Sequence, residues 1–309
     1  MDSAARQLTP APPHDYRDDV RTLPISNGAR PGRATVLDVR APCEFDCVFC
    51  TYDRRFRTEP SLAGLIETMD AATNRDEIVL SGPDPLGFPN ALSLLRHAAS
   101  TFRKVIVQTP GSRLSDPDIW DFVTRTPSIR LHLPLYSHVR ERHESVMRGV
   151  GTFDMVVRML AEHRVDVRLH TIVLPTNIDD LDALVELAHR HLRPLGFRIL
   201  APFNLGSDGP GRYVANLVSQ TDAIRALKPH LRGSERGPFL SQNRAVLLPC
   251  ILHRELGLSP DEMPFSNGGA PRMESEPCPR RADCSLASVC PGISPHYLAR
   301  LGTTELQPV

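Results

Sequence analysis

The strongest constraint on the fold is a repeated alternation of short apolar strands and amphipathic helices between residues 34 and 231. ATVLDVR (34–40), EIVLSG (77–82), KVIVQT (104–109), IRLHLPLY (129–136), VDVRLHTIVL (165–174) and GFRILAPF (196–203) have the length and apolar content of strands. SLAGLIETMDAATN (61–74), NALSLLRHAASTF (90–102), SDPDIWDFVTRT (115–126), TFDMVVRMLAEHR (152–164), NIDDLDALVELAHRHL (177–192) and TDAIRALKPHL (221–231) have helical spacing. Asn90, Ser115 and Asn177 stand where N-caps belong. Repeated strand–helix units imply parallel strands, because a parallel neighbour is reached through a crossover. Six units are too few for the usual eight-stranded closed barrel, so the expectation is an α/β fold, a partial (β/α)6 barrel or open sheet. In either, chemistry gathers at the C-terminal ends of the strands.

The rest of the chain departs from this pattern. Residues 1–32 read as an irregular arm, 33–231 as the barrel, and 232–309 as a small loop-rich extension that has trouble building a core of its own. Lys plus Arg and Asp plus Glu both number 36, which weighs against nucleic acid as a partner, since phosphate binding leaves a basic excess. No run of 18 apolar residues is present and the N-terminus lacks the apolar core of a secretory signal, so a cytoplasmic chain with reduced thiols and no membrane contact is expected.

That expectation gives the seven cysteines a different meaning from disulfides. Cys43, Cys47 and Cys50 lie directly after the first strand, in VRAPCEFDCVFC. Cys250, Cys278, Cys284 and Cys290 lie in the extension. Three thiols at i, i+4 and i+7 can converge on one face of a metal centre. A zinc site with three thiolates wants a fourth ligand, usually histidine, and none lies in the nearby loop. Iron–sulfur clusters are normally held by four thiolates, so three leave one iron with an open position.

The spacing Cys43-x3-Cys47-x2-Cys50, with Phe49 before the last cysteine, resembles the signature of the radical S-adenosylmethionine (SAM) superfamily. The resemblance implies that these three cysteines hold a [4Fe–4S] cluster whose open iron chelates SAM. It also implies that electron transfer to the sulfonium yields a 5′-deoxyadenosyl radical, and that Phe49 lies near the adenine. SGPDPL resembles the family's Gly-Gly-Glu-Pro turn, which holds the methionine amino group, through Gly82, Pro83, Asp84 and Pro85. Pro83 there removes a glycine and an N–H donor, and Asp84 also reads as a turn former. TPG (109–111), the segment YSHVRERHESVMRGVGTF, and HTIVLPTNIDDL extend the resemblance to about residues 33–205. It implies SAM contacts at Ser137 and Asn177, although Asn177 reads first as an N-cap, since it precedes IDDLDALVELA. His132 reads as a contact to the SAM ribose or the substrate, or as a buried, satisfied histidine, His143 as a cap or loop hydrogen-bonder rather than a catalytic acid, and Arg54, Arg55 and Arg57 as a basic turn or an anion contact.

Cys278-x5-Cys284-x5-Cys290, with Cys250 upstream, resembles the SPASM and twitch extensions that hold an auxiliary [4Fe–4S] cluster. Structural zinc on the same four thiolates stays open. The resemblance implies an oxidoreductase supplied by an electron donor such as flavodoxin or ferredoxin, acting on a peptide or a small-molecule, natural-product substrate. An RNA-modifying enzyme, or a non-catalytic iron–sulfur or zinc protein, are the alternatives.

Overall fold

A computed structural model describes residues 34–50, 60–193, 195–199, 210–231, 239–240, 247–260, 276–290 and 292–309. The expected arm (1–32) and the basic run Arg54, Arg55 and Arg57 lie outside the described residues.

The alternation folds as expected into an α/β structure with an open parallel sheet. The strands are β1 (Thr35–Asp38), β2 (Glu77–Ser81), β3 (Lys104–Gln108), β4 (Ile129–Pro134), β5 (Asp166–Val173) and β6 (Leu195–Ile199). A seventh strand of two residues, β7 (Phe239–Leu240), pairs parallel to β6 and has no counterpart in the sequence reading. The spatial order is β1 to β7, the order of the chain. Each crossover therefore leads to an adjacent strand, the arrangement of a barrel wound in one direction and left open between β1 and β7.

The helices outside the sheet are α1 (Leu62–Asp70), α2 (Ala91–Thr101), α3 (Pro117–Arg125), α4 (Arg140–Met147), α5 (Thr152–Ala161), α6 (Leu181–Arg190), α7 (Pro210–Ala215) and α8 (Gln220–Leu231). Their starts partly revise the expected caps. Ser61 caps α1 by accepting from Gly64 N at 3.1 Å. Asp116, one residue past Ser115, caps α3 by accepting from the Asp118 and Ile119 amides. Asn90 makes no side-chain cap bond. Helix α4 was not anticipated, because RERHESVM has a weak apolar stripe. It buries His143, Val146 and Met147 and ends on Arg148 in the left-handed region, with φ 53°.

The strands sort their side chains by parity. Leu131, Leu133 and Leu135 join Val105, Val107, Val167 and Leu169 in the core beneath the helices. The alternate residues of β3, β4 and β5 include Lys104, Gln108, Arg130, His132, Arg168 and His170, and these face the hollow of the half-barrel.

The extension contains α9 (Pro249–Leu256) and α10 (Pro295–Leu301). Helix α10 is capped by Ser294 and ends at Gly302, with φ 69°. It is joined to α8 by a polar seam. Tyr297 Oη accepts from Gln220 N at 2.8 Å and donates to Glu305. Gln220 Oε1 accepts from Leu248 N at 2.7 Å, and Glu255 takes both Arg225 nitrogens at 3.0 Å. Among the described residues, no helix is long and apolar enough to cross a membrane.

Candidate active site

The three-cysteine loop leaves the C-terminal end of β1, at the mouth of the half-barrel. Two glycines let it lie close to its neighbours. A Cβ on Gly82, at φ 132°, would stand 2.2 Å from Val39 O, and one on Gly87 would stand 2.4 Å from Pro42 O. From the other side the loop is held by the end of α4. Val48 N donates to Val146 O at 3.0 Å, Cys47 Sγ lies 3.8 Å from Met147 Sδ, and Arg148 pairs with Asp46 at 3.0 Å. Gly149 lies against the buried Phe45 ring so closely that a Cβ would come within 2.4 Å of Cδ1. Asn216 Nδ2 donates to Val48 O at 3.1 Å.

The thiols behave as a group. Burial pushes the Cys47 thiol up to about 12, and Cys50 and Cys43 push it further, since neighbouring thiolates repel one another. Such a set ionises together only around a cation, which is what an iron cluster supplies. Among the described residues, no three Cys, His, Asp or Glu side chains close around a single metal ion. Three thiols near enough to repel suit a four-iron cluster with one thiolate per iron and one iron left open.

Asp84 lies beside this loop and is 2% exposed. Its Oδ1 accepts from Leu86 N at 3.1 Å and Thr109 Oγ1 at 2.7 Å, so it caps the short turn Pro85–Gly87. Burial raises its carboxyl from 3.8 to about 6, against the pull of those two hydrogen bonds. The turn-forming reading therefore holds, and it leaves a poorly solvated carboxyl where a cation would be welcome. Thr109 accepts in turn from Gly111 N at 3.0 Å, which ties the β2 and β3 ends together.

Phe49 stands edge-on to Tyr136 at 5.2 Å, Tyr136 stacks on His143 at 5.8 Å, and His143 meets Phe153 at 5.9 Å. His143 is fully buried and accepts from Tyr136 N at 3.2 Å. Burial lowers it to about 4, so it is neutral and structural. Asn177 is also structural in its contacts. Its Oδ1 accepts from Leu174 N at 2.8 Å, and its Nδ2 donates to Tyr136 O and Ile172 O, each at 2.9 Å. It makes no side-chain cap bond, so the expected capping role is replaced by a clasp between the β4 and β5 ends. Ser137 is fully buried and bonded to Val139 N at 3.0 Å and to Asp180 at 3.1 Å. Thus Phe49, Gly82 and Asp84 gather round the cysteine loop. Ser137 and Asn177 brace the rim with their polar atoms already engaged.

The late cysteines meet in a second place. Cys250, Cys278, Cys284 and Cys290 line one cavity of about 410 Å³, part of it open to solvent, with Arg280, Arg281, Leu306 and Pro308. Burial pushes Cys250 up to about 11, and Cys290, Cys278 and Cys284 add to the rise. Arg280 N points at Cys278 Sγ at 3.5 Å. Sequence reasoning missed Met147, Tyr136 and the Thr109–Asp84 bond. Only Thr109 carried a signal, as the first residue of TPG after its strand.

Comparison with known proteins agrees with this geometry. Residues 42–188 match the Radical SAM superfamily. The chain is 24% identical over 167 residues to the AdoMet-dependent heme synthase of Methanosarcina barkeri (strain Fusaro / DSM 804), an alignment covering 50% of this chain. It spans 47%, about half, of the length of that curated relative. Streptococcus suis SuiB bound to S-adenosylmethionine superposes with a TM-score of 0.60 at 11% identity, over 86% of this chain and 73% of that one. SuiB bound to precursor peptide SuiA gives 0.58 at 12%, over 86% and 72%. At such identities the likeness is one of fold. The residues that match the Radical SAM superfamily begin beside Cys43 and run through β5 into α6, so the similarity takes in the three-cysteine loop and most of the sheet.

Proposed function

We propose that this chain is a SAM-cleaving oxidoreductase that abstracts hydrogen from a peptide or natural-product substrate held in the half-barrel. The observation that carries this is the set of three thiols gathered on one loop at the mouth of a parallel sheet. Cys43, Cys47 and Cys50 would hold a [4Fe–4S] cluster, with one iron left for SAM. Bound together, cluster and SAM supply a one-electron reduction that yields a 5′-deoxyadenosyl radical. Phe49 and Tyr136 offer an apolar wall for adenine, and Asp84 offers a carboxylate to the SAM amino group. Asn177 and Ser137 keep that rim in place.

Cys250, Cys278, Cys284 and Cys290 would hold a second cluster. Four thiolates would close it, which favours electron transfer over substrate chelation. An external one-electron donor of the flavodoxin or ferredoxin kind would complete the circuit. A peptide substrate is supported by the SuiB fold, which has been crystallised with its precursor peptide.

The test is anaerobic iron and sulfide analysis of reconstituted protein, with detection of 5′-deoxyadenosine after adding SAM and dithionite. Wild type should hold about eight irons and a Cys43/Cys47/Cys50→Ala variant about four, with deoxyadenosine lost. Zinc in place of iron, or iron without deoxyadenosine, would overturn the proposal.

A further inference from the structure

The two thiol groups carry opposite charges between their cysteines. Glu44 and Asp46 stand between Cys43 and Cys47. After burial and the other two thiols, Asp46 also opposes ionisation of Cys47. Between Cys278 and Cys284 stand Arg280 and Arg281 instead. Both arginines are exposed, and both line the cavity of the late cysteines. Among the described residues that line it, none is an acid. Neither guanidinium has an ion-pair partner among the described residues.

Local geometry holds Arg281 there. Pro279 opens a turn that Arg281 N closes on Cys278 O at 2.9 Å, with Arg280 at φ −101° and ψ 12°. A proline at the second position favours this type I turn. The turn brings Arg280 N to 3.5 Å from Cys278 Sγ, and Arg281 Nη1 donates to Cys290 O at 3.5 Å. Burial raises the Cys290 thiol, and the Gly292 N–H and the Arg281 charge pull it back. Leu248, Leu286 and Leu306 give the cavity apolar walls, through which a charge acts with less screening than in water.

We infer that Arg281 is a positioning residue for electron uptake: its guanidinium, held on Cys290 O, favours the more negative state of the late thiolate site and so raises its reduction potential. The inference rests on the proposed reading that these four thiolates hold a [4Fe–4S] cluster. One electron passed to that site from a one-electron donor adds one negative charge there and oxidises the donor, with no bond made or broken and no proton moved. A fixed cation beside the thiolates stabilises the added charge, and net charge is one of the quantities that set such potentials. The late site is thereby fitted to receive an electron.

The test is an anaerobic redox titration of reconstituted protein read by EPR. It is run on the wild type and on the Cys43/Cys47/Cys50→Ala background, where the late signal stands alone. Arg281→Gln should make the late cluster about tenfold harder to reduce, a potential about 59 mV lower for one electron, and leave the first signal where it was. Arg281→Lys keeps the charge and should stay within about threefold of wild type. Arg280→Gln keeps the backbone contact to Cys278 and removes only the second guanidinium, so a loss of about threefold is expected. That variant keeps the test open should Arg281→Gln fail to hold the cluster. A potential unmoved by both glutamine variants, with about four irons still bound, would overturn the inference. So would a lysine variant that shifts as far as the glutamine one, or a shift shared equally by the first cluster. Zinc in place of iron in the triple-cysteine background would overturn the four-thiolate cluster reading, and the inference with it.

Discussion

At the scale of single residues, the most informative group is Asp84, because its environment opposes its charge. Its carboxyl is raised from 3.8 to about 6, so the native state holds its proton more tightly than the unfolded chain does. The stabilisation this gives is present below pH 3.8 and is lost as pH rises through 6, a swing of about 3 kcal/mol. Asn at this position keeps an acceptor for Leu86 N and Thr109. We therefore expect Asp84→Asn to raise the urea midpoint of the apoprotein at pH 7.5 and to weaken SAM binding about tenfold by calorimetry. A variant that lost stability and kept SAM affinity would reduce Asp84 to a turn former. Asn177 should behave in the opposite way. Its three buried hydrogen bonds serve the protein, so Asn177→Ala should cost about 2–4 kcal/mol in urea unfolding, whether or not SAM is present. The sequence showed that both positions matter without showing how. Capping propensity suits Asn177 to the start of a helix, but tertiary partners on β4 and β5 take its amide instead, and no local rule contains them.

At the scale of elements, α4 decides how firmly the cysteine loop is held. Its four-residue end meets the loop through a carbonyl, a thioether, a guanidinium and a glycine. The Arg148–Asp46 pair is about half exposed on both sides, so Arg148→Ala should cost no more than about 1 kcal/mol. Gly149→Ala is different, because its new methyl would meet Phe45 Cδ1 at 2.4 Å. We expect that change to cost about 1–3 kcal/mol and to lower iron at the first cluster while sparing the second, as read by Mössbauer or EPR spectroscopy. The sequence made the strands and most helices of the barrel legible, since hydrophobic parity and helical spacing survive in each short segment. It concealed α4, α9 and β7. The first two are short and flanked by prolines or charges, and a two-residue strand exists only because β6 offers it an edge. The hollow of the barrel was legible in principle. A fully buried parallel strand is almost continuously apolar, so Arg130, His132, Arg168 and His170 inside β4 and β5 mark a polar interior.

At the scale of the whole molecule, the chain places one thiol group on a loop at the end of a strand and the other on a segment packed against α7 and α8. The seam of Tyr297, Glu305, Gln220, Arg225 and Glu255 fixes the extension to α8. The walls of the late cavity, by contrast, are mostly turns, with Cys250 alone of its four cysteines on a helix, α9. We expect Cys250→Ser to remove about four irons and to make residues near 278–290 sensitive to limited proteolysis, with the barrel still melting cooperatively. The order of the strands bears on how the protein is made. Because the sheet is wound in the order of synthesis, each new unit can dock on the one before it as it leaves the ribosome. The clamp on the first thiols comes from residues about a hundred positions later in the chain. At a translation rate of about 5–20 residues per second, the loop stays unlatched for roughly 5–20 seconds. On the proposed reading, a cluster donor would meet open thiols on the nascent chain and latched ones on the finished protein. We expect cluster uptake during refolding to outpace uptake by folded apoprotein, and Gly149→Ala to narrow that gap.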